Sequence, residues 1–257
     1  TVLLYLLQRP LSALQFGDNV ASSLGVNIKQ VKIICLGLAI FITAAVVSEV
    51  GLIGFIGIVA PAIVRLLGVR QLQWQIISSG VIGALMLLIV DLIVQPFSGV
   101  GGELLPTGAM TALIGSPFLL WLLQRTKLQS ELRARDEHVE RYRHMSPRLV
   151  LSAMLSLLTL ITLFALVFGQ SQTGWRLALD PQLLELRVPR VLTALLAGVG
   201  LAFAGTIIQR VSNNPMASPE VLGLSSGAAL ALVLGSMLGI AVEREQQMLL
   251  GTIGALL

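Results

Sequence analysis

Long apolar blocks alternate with short polar joints along this chain. The blocks fall at 31–49, 53–67, 74–95, 104–123, 149–168, 187–208 and 220–240, with the tail of another at 1–7 and the start of one from 248. About 20 apolar residues in a helix cross the roughly 30 Å of hydrocarbon in a bilayer. The pattern therefore predicts seven complete membrane helices and two truncated ones, in an all-α, polytopic transmembrane helix bundle. The block at 53–67 is short and contains Pro61. It is expected to be bent or partly re-entrant and shielded by its neighbours, because backbone groups freed inside hydrocarbon find no water. Thr1 and Leu257 each lie inside an apolar block, so the chain is expected to be a portion of a longer polypeptide.

Composition agrees. Hydrophobic residues make up 55% of the chain and charged ones 12%, whereas a soluble domain is about a quarter charged; mean hydropathy is +0.88. The single cysteine, Cys35, lies in an apolar run and reads as a small core residue. Seven basic residues, Arg125, Lys127, Arg133, Arg135, Arg141, Arg143 and Arg148, mark a solvated linker. Loops rich in Lys and Arg stay cytoplasmic. With the linker inside, alternation of spans places Arg9, Lys29, Lys32, Arg65, Arg70 and Arg210 inside too. Only Arg176, Arg187, Arg190 and Arg244 fall outside, a split of thirteen to four. Arg65 and Arg210, at inner helix ends, are expected to snorkel to the interface.

Chemistry is sparse. His138 and His144, with Asp136, Glu137 and Glu140, sit in the charge-balanced linker and are not read as a metal site. No GxxxxGK[ST], HExxH or GxSxG motif is present, so neither nucleotide hydrolysis nor a familiar hydrolase chemistry is expected here. No catalytic residue, cofactor, metal or nucleic-acid partner is assigned. Asp91 lies deep in an apolar run, where an acid is by default functional. Its span ends near Pro96, which favours a bond to a neighbouring helix end at the outer interface. The turn "NNPMASPE" at 213–220 offers Ser218 as N-cap, Pro219 at the first helical position and Glu220 at the positive end of the dipole. Small residues recur four apart: Gly198, Ala202 and Thr206 in one block, Gly223, Gly227 and Ala231 in the next. Helices in lipid approach closely only through small side chains. Two readings stay open for Gly198, Gly223 and Gly227, a packing seam or the lining of a pathway.

The segments "GLIGFIGIVAPAIVRLLG", "GALMLLIVDLIVQ" and "ELLPTGAMTALIGSPFLLWLLQR" resemble the last helices of permeases in the iron-siderophore, haem and cobalamin class of ABC importers. The later stretch "ELRVPRVLTALLAGVGLAFAGTIIQRVSNNPMASPEVLGLSSGAAL" resembles the family's opening helices. A family end thus runs into a family beginning, as in the central portion of a tandem-fused double permease. The resemblance implies the type II ABC importer permease fold, with residues 1–124 closing a first half, 125–148 a cytoplasmic linker and 149–257 opening a second half.

The resemblance also implies roles. "LQFGDNVASSLGVNIKQ" at 14–30 matches a surface helix that couples to the ATPase, through Gly17, Asp18, Ala21, Leu24 and Gly25, with Asp18 where Glu is more usual. Arg187 and Arg190 in "ELRVPR" match arginines that receive acidic residues of the substrate-binding protein, while a further family arginine stands here as Gln95. The implied partners are a cytoplasmic ATP-binding subunit dimer, a periplasmic substrate-binding protein and the lipid of a bacterial inner membrane. The chain itself would be a non-catalytic transport subunit. Fusion points by analogy to hydroxamate siderophores as cargo; haem, cobalamin or a catecholate siderophore are the alternatives. A passive channel or membrane receptor is the rival class, since it too would show many helices and small-residue seams.

Overall fold

The computed structural model describes residues 11–12, 18–23, 25, 27–69, 71–95, 111–113, 115–117, 120–121, 124, 146–171, 174–177, 181–239 and 244–256. The block expected at 1–7, most of that at 104–123 and nearly all of the linker lie outside these residues.

A short helix α1 (Asp18–Ser23) precedes the first long one, α2 (Ile28–Val50). The Asn27 side chain caps α2 by accepting from the Gln30 amide at 3.3 Å, and Gly51 ends it at φ 81°. The chain then runs without helix through 51–55 into α3 (Ile56–Leu66), which contains Pro61. Its eleven residues span about 16 Å, roughly half the hydrocarbon core. That is the interrupted block anticipated around Pro61, although the break lies ahead of the proline, at Gly51 and at Phe55 with its φ of 70°. Ile53 and Ile56 are each 1% exposed, so neighbouring helices shield much of this irregular backbone.

Next come α4 (Leu72–Val94), α5 (Pro147–Val167) with Pro147 in its first turn, and α6 (Pro181–Val211), which has Pro189 inside it. Among the described residues, four helical segments are long and apolar enough to cross a membrane: Ile28–Val50, Leu72–Val94, Pro147–Val167 and Leu184–Val211. A short antiparallel hairpin, β1 (Phe168–Ser171) and β2 (Gly174–Leu177), joins α5 to α6, with Phe168 opposite Leu177. The bundle ends with α7 (Leu224–Met237) and α8 (Arg244–Leu256). The helix expected at 220–240 starts only at Leu224, because Gly223 adopts φ 81° and closes off the turn before it.

The antiparallel pair α4 and α6 makes the most extensive contact, and α2 and α3 pack onto α6. Its middle is a backbone contact: a methyl group added at Gly83 or at Gly198 would overlap the other residue's main chain. Gly57 of α3 and Gly205 of α6 are similarly apposed, as are Gly227 of α7 and Gly254 of α8. Each helical glycine costs about 1 kcal/mol of propensity against alanine; the return is van der Waals contact between backbones, which in lipid has no hydrophobic force to replace it. On α5, by contrast, Leu149, Leu160 and Leu163 are exposed, as suits a face turned to acyl chains.

Candidate functional site

Polar contacts gather at the two ends of the α4–α6 pair. At one end, the Arg190 guanidinium of α6 donates through Nε to Asp91 Oδ1 of α4 at 2.8 Å. Gln95, one turn after Asp91, donates to the other oxygen at 3.2 Å. The Asp91 side chain is 12% exposed and that of Arg190 is 45% exposed, so the acid lies beneath and the base at the surface. A cavity of about 200 Å³ opens beside them, lined by Val50, Leu87, Asp91, Arg190, Thr193 and Ala194. Arg187, one turn before Arg190, donates to the Leu166 and Val167 carbonyls at 3.3 and 3.4 Å. It thereby satisfies acceptors that the end of α5 leaves open.

At the opposite end, Arg210 of α6 donates to the Gln75 side chain of α4, and Gln75 donates in turn to the Val69 carbonyl at 2.7 Å. Arg65 of α3 donates to Gln209 at 2.6 Å and to the Pro215 carbonyl at 3.4 Å. Gln209 closes the ring with a bond to the Gly57 carbonyl at 3.2 Å. The expectation that Arg65 and Arg210 simply snorkel is corrected here. Both turn to amide partners on neighbouring helices, because Gln75 and Gln209, 7% and 5% exposed, need bonds of their own. A glutamine at the inner end of each of two apolar blocks, Gln75 and Gln209, was the sequence signal for this network.

The short helix α1 lies at this second end. Ala21 is fully buried, in a cluster with Cys35, Leu72, Ile76, Ile207, Ile208, Val211 and Ala217. Gly25, at φ 79°, closes α1 with its amide bonded to the Ser22 carbonyl at 2.9 Å. Asp18 opens the helix; Gly17 and Leu24 lie outside the described residues. Of the three glycines singled out in the sequence, Gly198 and Gly227 sit at helix contacts, whereas Gly223 lies in the turn before α7, where an added methyl group would touch no neighbouring helix among the described residues. Ser218 does cap that turn, accepting from the Val221 amide at 3.3 Å. No group of His, Cys, Asp and Glu able to hold a metal occurs among the described residues.

Apolar helices of membrane-crossing length, pressed together at glycines and tied at their ends by buried polar bonds, define a multi-pass membrane helix bundle. The chain belongs to the FecCD transport family, whose family model matches residues 1–125 and 150–257. It is 45% identical over 238 residues to the iron(3+)-hydroxamate import system permease protein FhuB of Salmonella typhimurium, covering 91% of this chain and 34% of that protein. With FhuB of Escherichia coli the identity is 42%, over 91% of this chain and 36% of the relative. The hemin transport system permease protein HmuU of Yersinia pestis is 38% identical over 50% of this chain and 38% of its own length. The chain thus spans about a third of the length of these relatives. No solved structure matches it.

Proposed function

We propose that this chain is part of the membrane-spanning permease of an ATP-driven importer for iron(III)-hydroxamate chelates, in a bacterial inner membrane. One observation carries the choice of cargo. The hydroxamate permeases of Salmonella typhimurium and Escherichia coli match it at 45% and 42% identity over 91% of the chain, further and more closely than the hemin permease of Yersinia pestis, at 38% over 50%. The two stretches matched by the family model leave out 126–149, which supports a closing half at 1–124, a linker at 125–148 and an opening half at 149–257.

The partners follow from the two ends. The end holding Arg65, Arg210, Lys29 and α1 is cytoplasmic in this reading, and the segment of Gly17, Asp18, Leu24 and Gly25 couples to an ATP-binding subunit dimer while buried Ala21 anchors it to the bundle. The opposite end is periplasmic, where Arg187 and Arg190 receive acidic side chains of a substrate-binding protein. Guanidinium suits carboxylate pairing. The chain contributes no covalent chemistry; hydrolysis belongs to the ATPase.

The test is uptake of iron-loaded chelates by proteoliposomes containing the full transporter and its binding protein. Hydroxamate chelates are expected to accumulate, and haem, cobalamin and catecholate chelates to be left outside. Selective uptake of haem or cobalamin would overturn the choice of cargo.

A further inference from the structure

Arg190 carries the docking reading just given, yet in this structure it is already engaged. Its Nε holds Asp91 at 2.8 Å, while its side chain stays 45% exposed and lines the cavity beside the pair. A carboxylate arriving from outside meets Arg190 before it meets Asp91. Two carboxylates drawn to one guanidinium repel each other at contact distance, and near a low-dielectric wall that repulsion is strong. Gln95 offers the displaced Asp91 a bond it already makes, so the acid is not left bare when the arginine turns away.

We propose that Asp91 is a built-in competitor for Arg190: an acidic side chain of the delivering protein displaces it, so docking releases the outer end of α4 from α6. The proposal rests on the docking reading and adds to it a specificity-determining residue and a mechanical consequence. The rest of the α4–α6 pair shows where the motion goes. The Gly83–Gly198 contact in the middle holds the two backbones together, and the Arg210–Gln75 bond ties the far end. With only the Asp91 clasp opened, the outer ends splay about the glycine contact. The far end bears Leu72, Ile76, Ile207 and Ile208, against which Ala21 of α1 is packed. With the Arg210–Gln75 bond intact, that end stays clasped while the outer ends part.

The experiment uses the intact transporter in lipid nanodiscs, with Cys35→Ala and spin labels at Ile93→Cys and Val188→Cys, both exposed positions at the outer ends of α4 and α6. Adding the binding protein is expected to lengthen the label-to-label distance in the otherwise unaltered protein. In Asp91→Asn the distance is expected to be long before addition, and the binding protein to bind about tenfold tighter, because Arg190 no longer has a charged rival. Arg187→Glu with Arg190→Glu is expected to weaken binding and its salt dependence. If that double variant binds as the parent does, docking and the competitor role fall together. If it binds poorly while Asp91→Asn binds no tighter and the parent's labels do not move, the competitor role alone is overturned. The parent measurement needs no change at Asp91, so a folding defect in Asp91→Asn leaves the test standing.

Discussion

Glu220 shows how much a single buried group can hold back. In the sequence it reads as an acid at the positive end of a helix dipole, but the helix starts only at Leu224 and Ser218 caps the turn before it. Yet both carboxyl oxygens are buried without a hydrogen-bond partner. Loss of water pushes the carboxyl above its ordinary 4.5; the Ser218 hydroxyl and the residue's own amide offset this in part without making bonds of good geometry. The unfolded chain releases this proton near pH 4.5, while the folded chain keeps it to higher pH. Between those two values the folded state binds the extra proton, so stability falls as pH rises through the window and stays lowered above it. Glu220→Gln is therefore expected to raise the melting temperature of the purified protein near neutral pH, with the gain vanishing below pH 4.5. An equal gain at both pH values would show that charge burial is not its cause.

Helices test the packing account most sharply at their glycines. Gly198→Val would drive a branched side chain into the Gly83 backbone, an overpacking that costs about 1–3 kcal/mol or more. Gly37→Ala places its methyl where nothing lies within 4 Å and is expected to be neutral or stabilising. Thermal unfolding in detergent would compare the two, and equal stability would contradict the close contact. For α1 the expectation is functional. Gly25 sits at φ 79°, where a β-branched residue is strained, so Gly25→Val is expected to abolish uptake while the chain still assembles in the membrane; normal uptake would count against coupling through α1. The long helices were legible because a membrane span leaves an uninterrupted apolar record: 31–49 became Ile28–Val50, 74–95 became Leu72–Val94 and 149–168 became Pro147–Val167. Partnerships were not legible. Gly198 stood out by spacing, but nothing local named Gly83 as its partner, just as nothing local joined Asp91 to Arg190 across 99 positions. The hairpin at 168–177 was not legible because its strands are only four residues each and, past Phe168, lie in the connection between apolar blocks.

Across the bundle, basic residues and contacts agree on two distinct ends. Arg65 and Arg210 meet their partners beside α1 and the start of α2, and Arg187 and Arg190 meet theirs where α4 and α5 finish. The thirteen-to-four division of positive charge read from the sequence runs in the same sense. The family was legible too, since "GLIGFIGIVAPAIVRLLG" and "ELRVPRVLTALLAG" fall within the two stretches that the FecCD family model matches. What no stretch of sequence records is the drive for transport, because a channel also has small-residue seams and many spans. The decisive measurement is the internal concentration of an iron(III)-hydroxamate chelate in proteoliposomes holding the transporter, its ATPase and its binding protein, with and without ATP. Accumulation above the external level that requires ATP is the expected result; equilibration to the external level without ATP would contradict an importer and leave a passive channel.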